Sequence, residues 1–302
     1  MKKVIWIPLV IIIVGICLAG AGWAADGINV LKPGIFVDKD GLHANKSIRL
    51  ITVDETYPAS SVKSIAINVD YLNRVIVKEG EAGGKITVNG ANYETNGGLA
   101  STLSDGALSV ATNDPKHRSG WIINFGLSSV LDNNKCYLEI TVPKGTRLEG
   151  LTADIDASDI ELSGLTADTA LIDNNYGDIG IRNINAGNLT IKADAGNIEA
   201  DGIAVTALFD IDNHYGDVTM DRLTLAGLCR VDSDAGNVSI GLTNPETEVG
   251  YDLTVDAGSI TAGGSTHRGA GNVSLNSPDI SGEKAHVTAG NNFGDITLEF
   301  GR

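Results

Sequence analysis

From about residue 47 onward the chain is made of short runs in which apolar and polar side chains alternate. Ser64-Ile-Ala-Ile-Asn-Val69, Arg74-Val-Ile-Val77 and Tyr137-Leu-Glu-Ile-Thr-Val142 place a β-branched or aliphatic residue at every second position. Ile48–Val53, Lys85–Val88, Ala107–Val110 and Trp121–Asn124 follow the same pattern. A period of two turns one face of a strand to a core and the other to water, and the Gly, Asn and Pro between runs supply the turns. The stretch Asn89–Ser104 is rich in Gly, Asn and Ser and reads as a mobile loop. After Asp26 the pattern offers no helix of useful length.

From Leu148 the sequence repeats itself. Aligned on one small turn residue, the repeats fall at Ser158, Gly177, Gly196, Gly216, Gly236, Gly258 and Gly294, in steps of 19, 19, 20, 20, 22 and 36. A fixed period of about 20 residues is the mark of a stacked solenoid. Each turn is followed by one short alternation, such as Ile179/Ile181, and about ten residues later by another, such as Leu189/Ile191. The expected fold class is therefore all-β. An N-terminal β-strand region over 26–147 precedes a right-handed parallel β-helix over 148–302, with coils about 4.8 Å apart.

A finer, two-coil period is superimposed. Ile172-Asp-Asn-Asn-Tyr-Gly-Asp-Ile179 returns as Ile211-Asp-Asn-His-Tyr-Gly-Asp-Val218, and Asp194-Ala-Gly-Asn-Ile198 returns as Asp234-Ala-Gly-Asn-Val238. Tyr-Gly-Asp coils thus alternate with Ala-Gly-Asn coils. Like charges directly opposite each other on neighbouring strands destabilise a sheet. The alternation predicts that carboxylates are staggered up the stack, as when Lys192 falls between Asp173 and Asp212.

Composition sharpens this picture. Residues 150–302 hold 24 acidic and 7 basic side chains, and the acids are 18 Asp against 6 Glu. Preference for the shorter carboxylate points to turns, where it can bond nearby backbone N–H groups. So acidic a surface repels phosphate backbones, which excludes nucleic acid as a partner. At 42% hydrophobic, the chain is also too apolar to be disordered.

Met1-Lys2-Lys3 opens a basic start, and Val4–Ala25 carries no charge. Residues 1–25 are read as a signal peptide, cleaved near Ala21 or Ala24, or as an uncleaved N-terminal membrane anchor bracketed by Trp6 and Trp23. Either reading places the rest of the chain outside the cytoplasm, with the membrane reached through the N-terminal segment. Cys136 and Cys229 lie 93 residues apart in apolar, strand-like contexts. They read as buried thiols more readily than as a bridge.

Ser64-Ile-Ala-Ile-Asn-Val, Arg74-Val-Ile-Val, Leu138-Glu-Ile-Thr-Val-Pro-Lys-Gly145 and the repeated Gly-Asp/Asn-Ile/Val turns resemble the bacterial putative-adhesin family of β-strand-repeat envelope proteins. The resemblance covers roughly residues 60–300, and the family is a domain of unknown function. It implies an extracytoplasmic, non-enzymatic protein and supplies no catalytic residues.

Candidate chemistry is sparse. Calcium is the one ion considered, with Asp194, Asp234 and Asp256 as weak candidate ligands; no cofactor is expected, and no His or Cys cluster has zinc spacing. His43, His117, His214, His267 and His286 are scattered, and only His214 sits in a repeat turn. A polysaccharide-cleaving enzyme would need cations beside its acids, for which Arg182, Lys192, Arg222 and Arg230 are the few available. Tyr176, Tyr215 and Phe293 occupy one column, with Tyr176 and Tyr215 two coils or about 10 Å apart. They either fill a corner or form a strip on which a sugar could stack. The leading expectation is surface binding to a protein or carbohydrate of the cell envelope or an external surface. The alternatives are an envelope structural or stress-accessory role, and a polysaccharide-active β-helix enzyme.

Overall fold

The computed structural model describes residues 35–38, 41–44, 49–94, 97–112 and 133–302 except 270, 279, 281 and 283. The proposed signal or anchor (1–25), the expected strand at Trp121–Asn124 and His117 lie outside the described residues. Among the described residues no helix is long and apolar enough to cross a membrane.

The repeats do stack as a β-solenoid. Each coil gives one strand to each of two parallel ladders. One ladder runs through Arg147–Ala157, Thr166–Tyr176, Asn185–Ala195, Ala204–Tyr215 and Leu228–Ala235. The other runs through Asp159–Ser163, Ile179–Arg182, Ile198–Asp201, Val218–Leu225 and Val238–Leu242. Alternation then does what it must. Ile160, Ile179, Ile198, Val218 and Val238 stack in one buried column, and Leu151, Ala170, Leu189, Phe209 and Cys229 in another. Each large aliphatic side chain so buried contributes about 1.5–3 kcal/mol. The step from 19 to 20 residues is absorbed by a bulge, where Ala186 faces Val205 but Asn188 faces Leu208.

The N-terminal strands continue this stack. Ser64–Val69 and Arg74–Glu79 pair in parallel with Arg147–Ala157 and Asp159–Ser163. Beyond them, again in parallel, lie Ala107–Ala111 and Tyr137–Val142. Antiparallel strands finish this end: Ala100–Ser104 on one ladder, and Lys85–Tyr93 followed by Leu50–Pro58 on the other. Asn89–Ser104 is therefore not a loop. It holds the end of one strand, a turn with Gly97 and Gly98 at positive φ, and another strand. Gly90 and Asn92 there serve close backbone approach. A Cβ at Gly90 would lie 2.8 Å from the Tyr137 carbonyl oxygen, and buried Asn92 donates to the Gly98 carbonyl at 3.3 Å.

At the other end, space and sequence disagree. Steps along the chain predict the Gly258 coil directly above the Gly236 coil. Instead Ala285–Phe293 lies between Leu228–Ala235 and Val249–Ala257, parallel to both. Ile296–Glu299 likewise separates Val238–Leu242 from Ser259–Ala262. The last coil in sequence is next to last in space, which accounts for the 36-residue step. The outer edges of the Gly258 coil are covered by antiparallel Val273–Asn276 and Ser265–Arg268. Both ends of the solenoid thus pair their open edges within the chain.

Candidate functional site

The repeat turn is built around an approach too close for any side chain. A Cβ on Gly196 would sit 2.0 Å from the Gly177 carbonyl oxygen, and one on Gly216 would sit 2.1 Å from that of Gly196. Gly236, Gly294 and Gly258 meet the preceding coil in the same way. Positive φ at these turns adds a second reason for glycine.

The residue after each glycine forms a second ladder. Asp178 N–H donates to Asp159 Oδ1 (3.1 Å), Asn197 N–H to Asp178 Oδ1 (2.8 Å) and Asp217 N–H to Asn197 Oδ1 (3.0 Å). Asn237, Asp295 and Ser259 continue it at 2.7, 3.1 and 2.8 Å. The acceptor must be one carbon from the backbone to reach the next coil. This explains why Asp and Asn exchange freely in this column and why Glu is absent from it.

Before each glycine, stack order reads Ala157, Tyr176, Ala195, Tyr215, Ala235, Phe293, Ala257. In space the alternation of methyl and ring is complete, because Phe293 separates the two alanines that are successive in the repeat. Tyr176, Tyr215 and Phe293 are 63%, 65% and 66% exposed, so they project from the corner instead of filling it. Successive rings stand two coils apart, about 10 Å.

One residue further back the column is Asp156, Asn175, Asp194, His214, Asp234, Asn292, Asp256. Every acid has an Asn or His neighbour that bonds it: Asn175 Nδ2 to Asp156 (2.8 Å), His214 Nδ1 with Asp194 (3.1 Å) and Asn292 Nδ2 to Asp234 (2.7 Å). Asp256 accepts from Asn272 Nδ2 at 2.9 Å. Asp194, Asp234 and Asp256 are therefore about 10 Å apart, with other side chains between them. Calcium needs several oxygens at 2.3–2.6 Å, and the structure does not bring these three together. Among the described residues no group of three His, Cys, Asp or Glu is placed to hold a metal.

Staggering of charge is incomplete: Asp154 faces Asp173, Asp201 faces Asp221 and Asp212 faces Asp232. Beside the last of these pairs, the next coil has Gly290 at that position. The missing side chain leaves a shallow hollow of about 350 Å³, lined by Asp212, Asp232, Asp234, Asp256, Thr254 and Asn292 among others. Burial pushes the Asp232 carboxyl above its usual range, and Asp212 and Asp210 push it the same way against the pull of Arg230.

Sequence reasoning missed one set of residues. Asn174, Asn213 and Asn291 point into the solenoid and are buried. Asn174 and Asn213 donate to the glycine carbonyl of their own turn, at 3.0 and 2.8 Å, and Asn291 donates to Gly236 of the coil below at 2.8 Å. Their shared offset in Asn-Asn-Tyr-Gly, Asn-His-Tyr-Gly and Asn-Asn-Phe-Gly was available as a signal. The basic residues considered for lyase chemistry are mostly engaged elsewhere. Arg222 Nε donates to Asp201 at 2.7 Å and holds that carboxyl below its usual range, Arg182 approaches Glu199, and Arg230 approaches Asp210. Lys192 stands in register between Asp173 and Asp212.

Comparison with known proteins gives a family but no activity. The sequence profile described as Toastrack DUF4097 matches residues 62–300. No curated protein matches the chain. A solved structure titled a putative adhesin from Bacteroides fragilis is 13% identical and covers 83% of this chain and 98% of its own, with a TM-score of 0.36. One titled a putative cell adhesion protein from Clostridium sporogenes is 10% identical over 83% of this chain and 100% of its own, with a TM-score of 0.33. A putative adhesin from Parabacteroides distasonis is 12% identical over 83% and 98%, with a TM-score of 0.28.

Proposed function

This chain belongs to the Toastrack DUF4097 family, and from that premise we propose that it is a non-enzymatic, extracytoplasmic binding protein. It presents an adhesin-like ridge on a rigid solenoid and grips an extended polymer of the cell envelope or of an external surface. The observation that carries this reading is the row Tyr176, Tyr215 and Phe293, three rings about two-thirds exposed in one register. Exposed rings cost solvation and contribute little to folding. Held at fixed intervals by parallel coils, they are preorganised for stacking contacts that lose little entropy on binding. The uncharged run Val4–Ala25 behind two lysines supports export and a membrane tether.

The experiment is a glycan and protein array probed with the full-length protein and with a variant carrying Tyr176→Ala, Tyr215→Ala and Phe293→Ala. Binding that the triple variant loses, with unchanged circular dichroism, supports the ridge. Turnover of a polysaccharide that a single Asp→Asn substitution abolishes would replace this reading with an enzyme.

A further inference from the structure

The ridge is a row of equivalent subsites, and their chemistry specifies the repeating unit of the ligand. Each ring has an Asn or His just before it and an Asp two residues after it. Tyr176 stands between Asn175 and Asp178, Tyr215 between His214 and Asp217, and Phe293 between Asn292 and Asp295. The companions are locked by the coil below or above: Asn175, His214 and Asn292 on Asp156, Asp194 and Asp234, and the carboxylates on the N–H groups of Asn197, Asn237 and Ser259. The acceptor bond uses Oδ1 of each of Asp178, Asp217 and Asp295. A carboxylate has a second oxygen to offer, and all three side chains are exposed.

We propose that the ridge binds a β-linked amino-sugar glycan with free ammonium groups, one disaccharide per two coils. This deepens the reading given above and rests on it. Three observations select the class. Subsites that each pair an aromatic ring with an Asp at the same offset ask for a ligand of one repeating composition, which a glycan has and an ordinary polypeptide lacks. The subsite spacing of about 10 Å is close to the length of two sugar rings in an extended chain, so every second ring can lay its C–H face on Tyr or Phe. Finally, a carboxylate beside every ring, in a half of the chain with 24 acids and 7 bases, repels uronic and phosphate-bearing polymers and attracts an ammonium. The Gly290 hollow, with Asp232 and Asp234 on its wall, borders the Phe293 subsite and extends this acidic surface.

Calorimetric titration of the full-length protein tests this with three probes: a β-1,4-linked glucosamine hexamer, its fully N-acetylated counterpart, and hexalysine. Two variants are compared, the triple ring variant and Asp178→Asn/Asp217→Asn/Asp295→Asn. The amide variant keeps the Oδ1 acceptor and hence the ladder, and circular dichroism verifies both folds. The glucosamine hexamer is expected to bind best. Loss of each ring should weaken it roughly three- to tenfold. The amide variant should weaken it comparably while leaving the acetylated hexamer unchanged. Equal binding of the acetylated hexamer, or indifference to the amide variant, overturns ammonium recognition but leaves the ridge. Hexalysine binding with the same ring dependence overturns the glycan class. If no probe responds to ring removal in a folded variant, the ridge itself is overturned.

Discussion

Gly216→Ala is the sharpest test of the stacking geometry. The new Cβ would lie 2.1 Å from the Gly196 carbonyl oxygen, 2.7 Å from its carbon and 3.3 Å from Asn197 N. All three atoms are backbone of the coil below, so no side chain can swing aside. Restoring ordinary contact requires the coils to part by about 1 Å. The backbone is at φ +132°, where only glycine is comfortable. An unsuitable conformation costs about 1–3 kcal/mol, and overpacking about 1–3 kcal/mol more, giving roughly 2–6 kcal/mol. Gly145→Ala is the control, because that turn has φ +80° and open space around the added methyl. Urea denaturation of both variants, with hydrogen exchange at Asn197 and Asn237, separates conformation from crowding. If Gly216→Ala loses no more stability than Gly145→Ala, contact between coils does not dictate the turn and the argument fails.

Four further outcomes follow from the same structure. Asp217→Ala should cost about 0.5–1.5 kcal/mol by stranding the Asn237 N–H, whereas Asp217→Asn should be near neutral, as read by denaturant midpoints. Cys229 is fully buried and its thiol is pushed up to about 12, so iodoacetamide at pH 8 should leave it unmodified until the protein unfolds, as mass spectrometry would show. Asp232 holds its proton more tightly folded than unfolded, so its charge destabilises the fold above the raised pKa and is harmless below the ordinary value of 3.8. Asp232→Asn should therefore stabilise by roughly 0.5 kcal/mol at pH 7, after screening, and the gain should vanish as pH falls toward 3. Deleting residues 285–302 should release 249–276 to full hydrogen exchange, since the deleted coil is what joins them to the stack.

Much of this architecture was legible because its signals are local or strictly periodic. Strands such as Ser64–Val69 and Tyr137–Val142 have the bounds that two-residue alternation gives them. The Tyr-Gly-Asp and Ala-Gly-Asn turns revealed the two-coil period. Stack order was lost where a detour from Gly263 to Lys284 separates neighbours in space from neighbours in sequence. The information was present in a nonlocal form: only with Asn292-Phe293 placed between Asp234-Ala235 and Asp256-Ala257 do both columns alternate throughout. The exposure of the aromatic row was not legible, because a ring at a turn can fold inward or outward and the pattern of its neighbours is the same. Asn174, Asn213 and Asn291 were overlooked for a related reason. A polar residue at an inward position looks like a break in the strand until the carbonyl it serves is known.

Interleaving at the C-terminal end has an evolutionary corollary. A new coil cannot simply be appended there, since the final segment is clamped between two earlier ones and capping strands occupy what lies beyond. Growth is open in the interior, where a duplicated pair of coils between Gly177 and Gly236 would find matching surfaces above and below. Such a duplication adds one aromatic tooth and keeps the spacing of all the others. Descendants of this gene could thus lengthen their reach in fixed increments while both termini stay as they are.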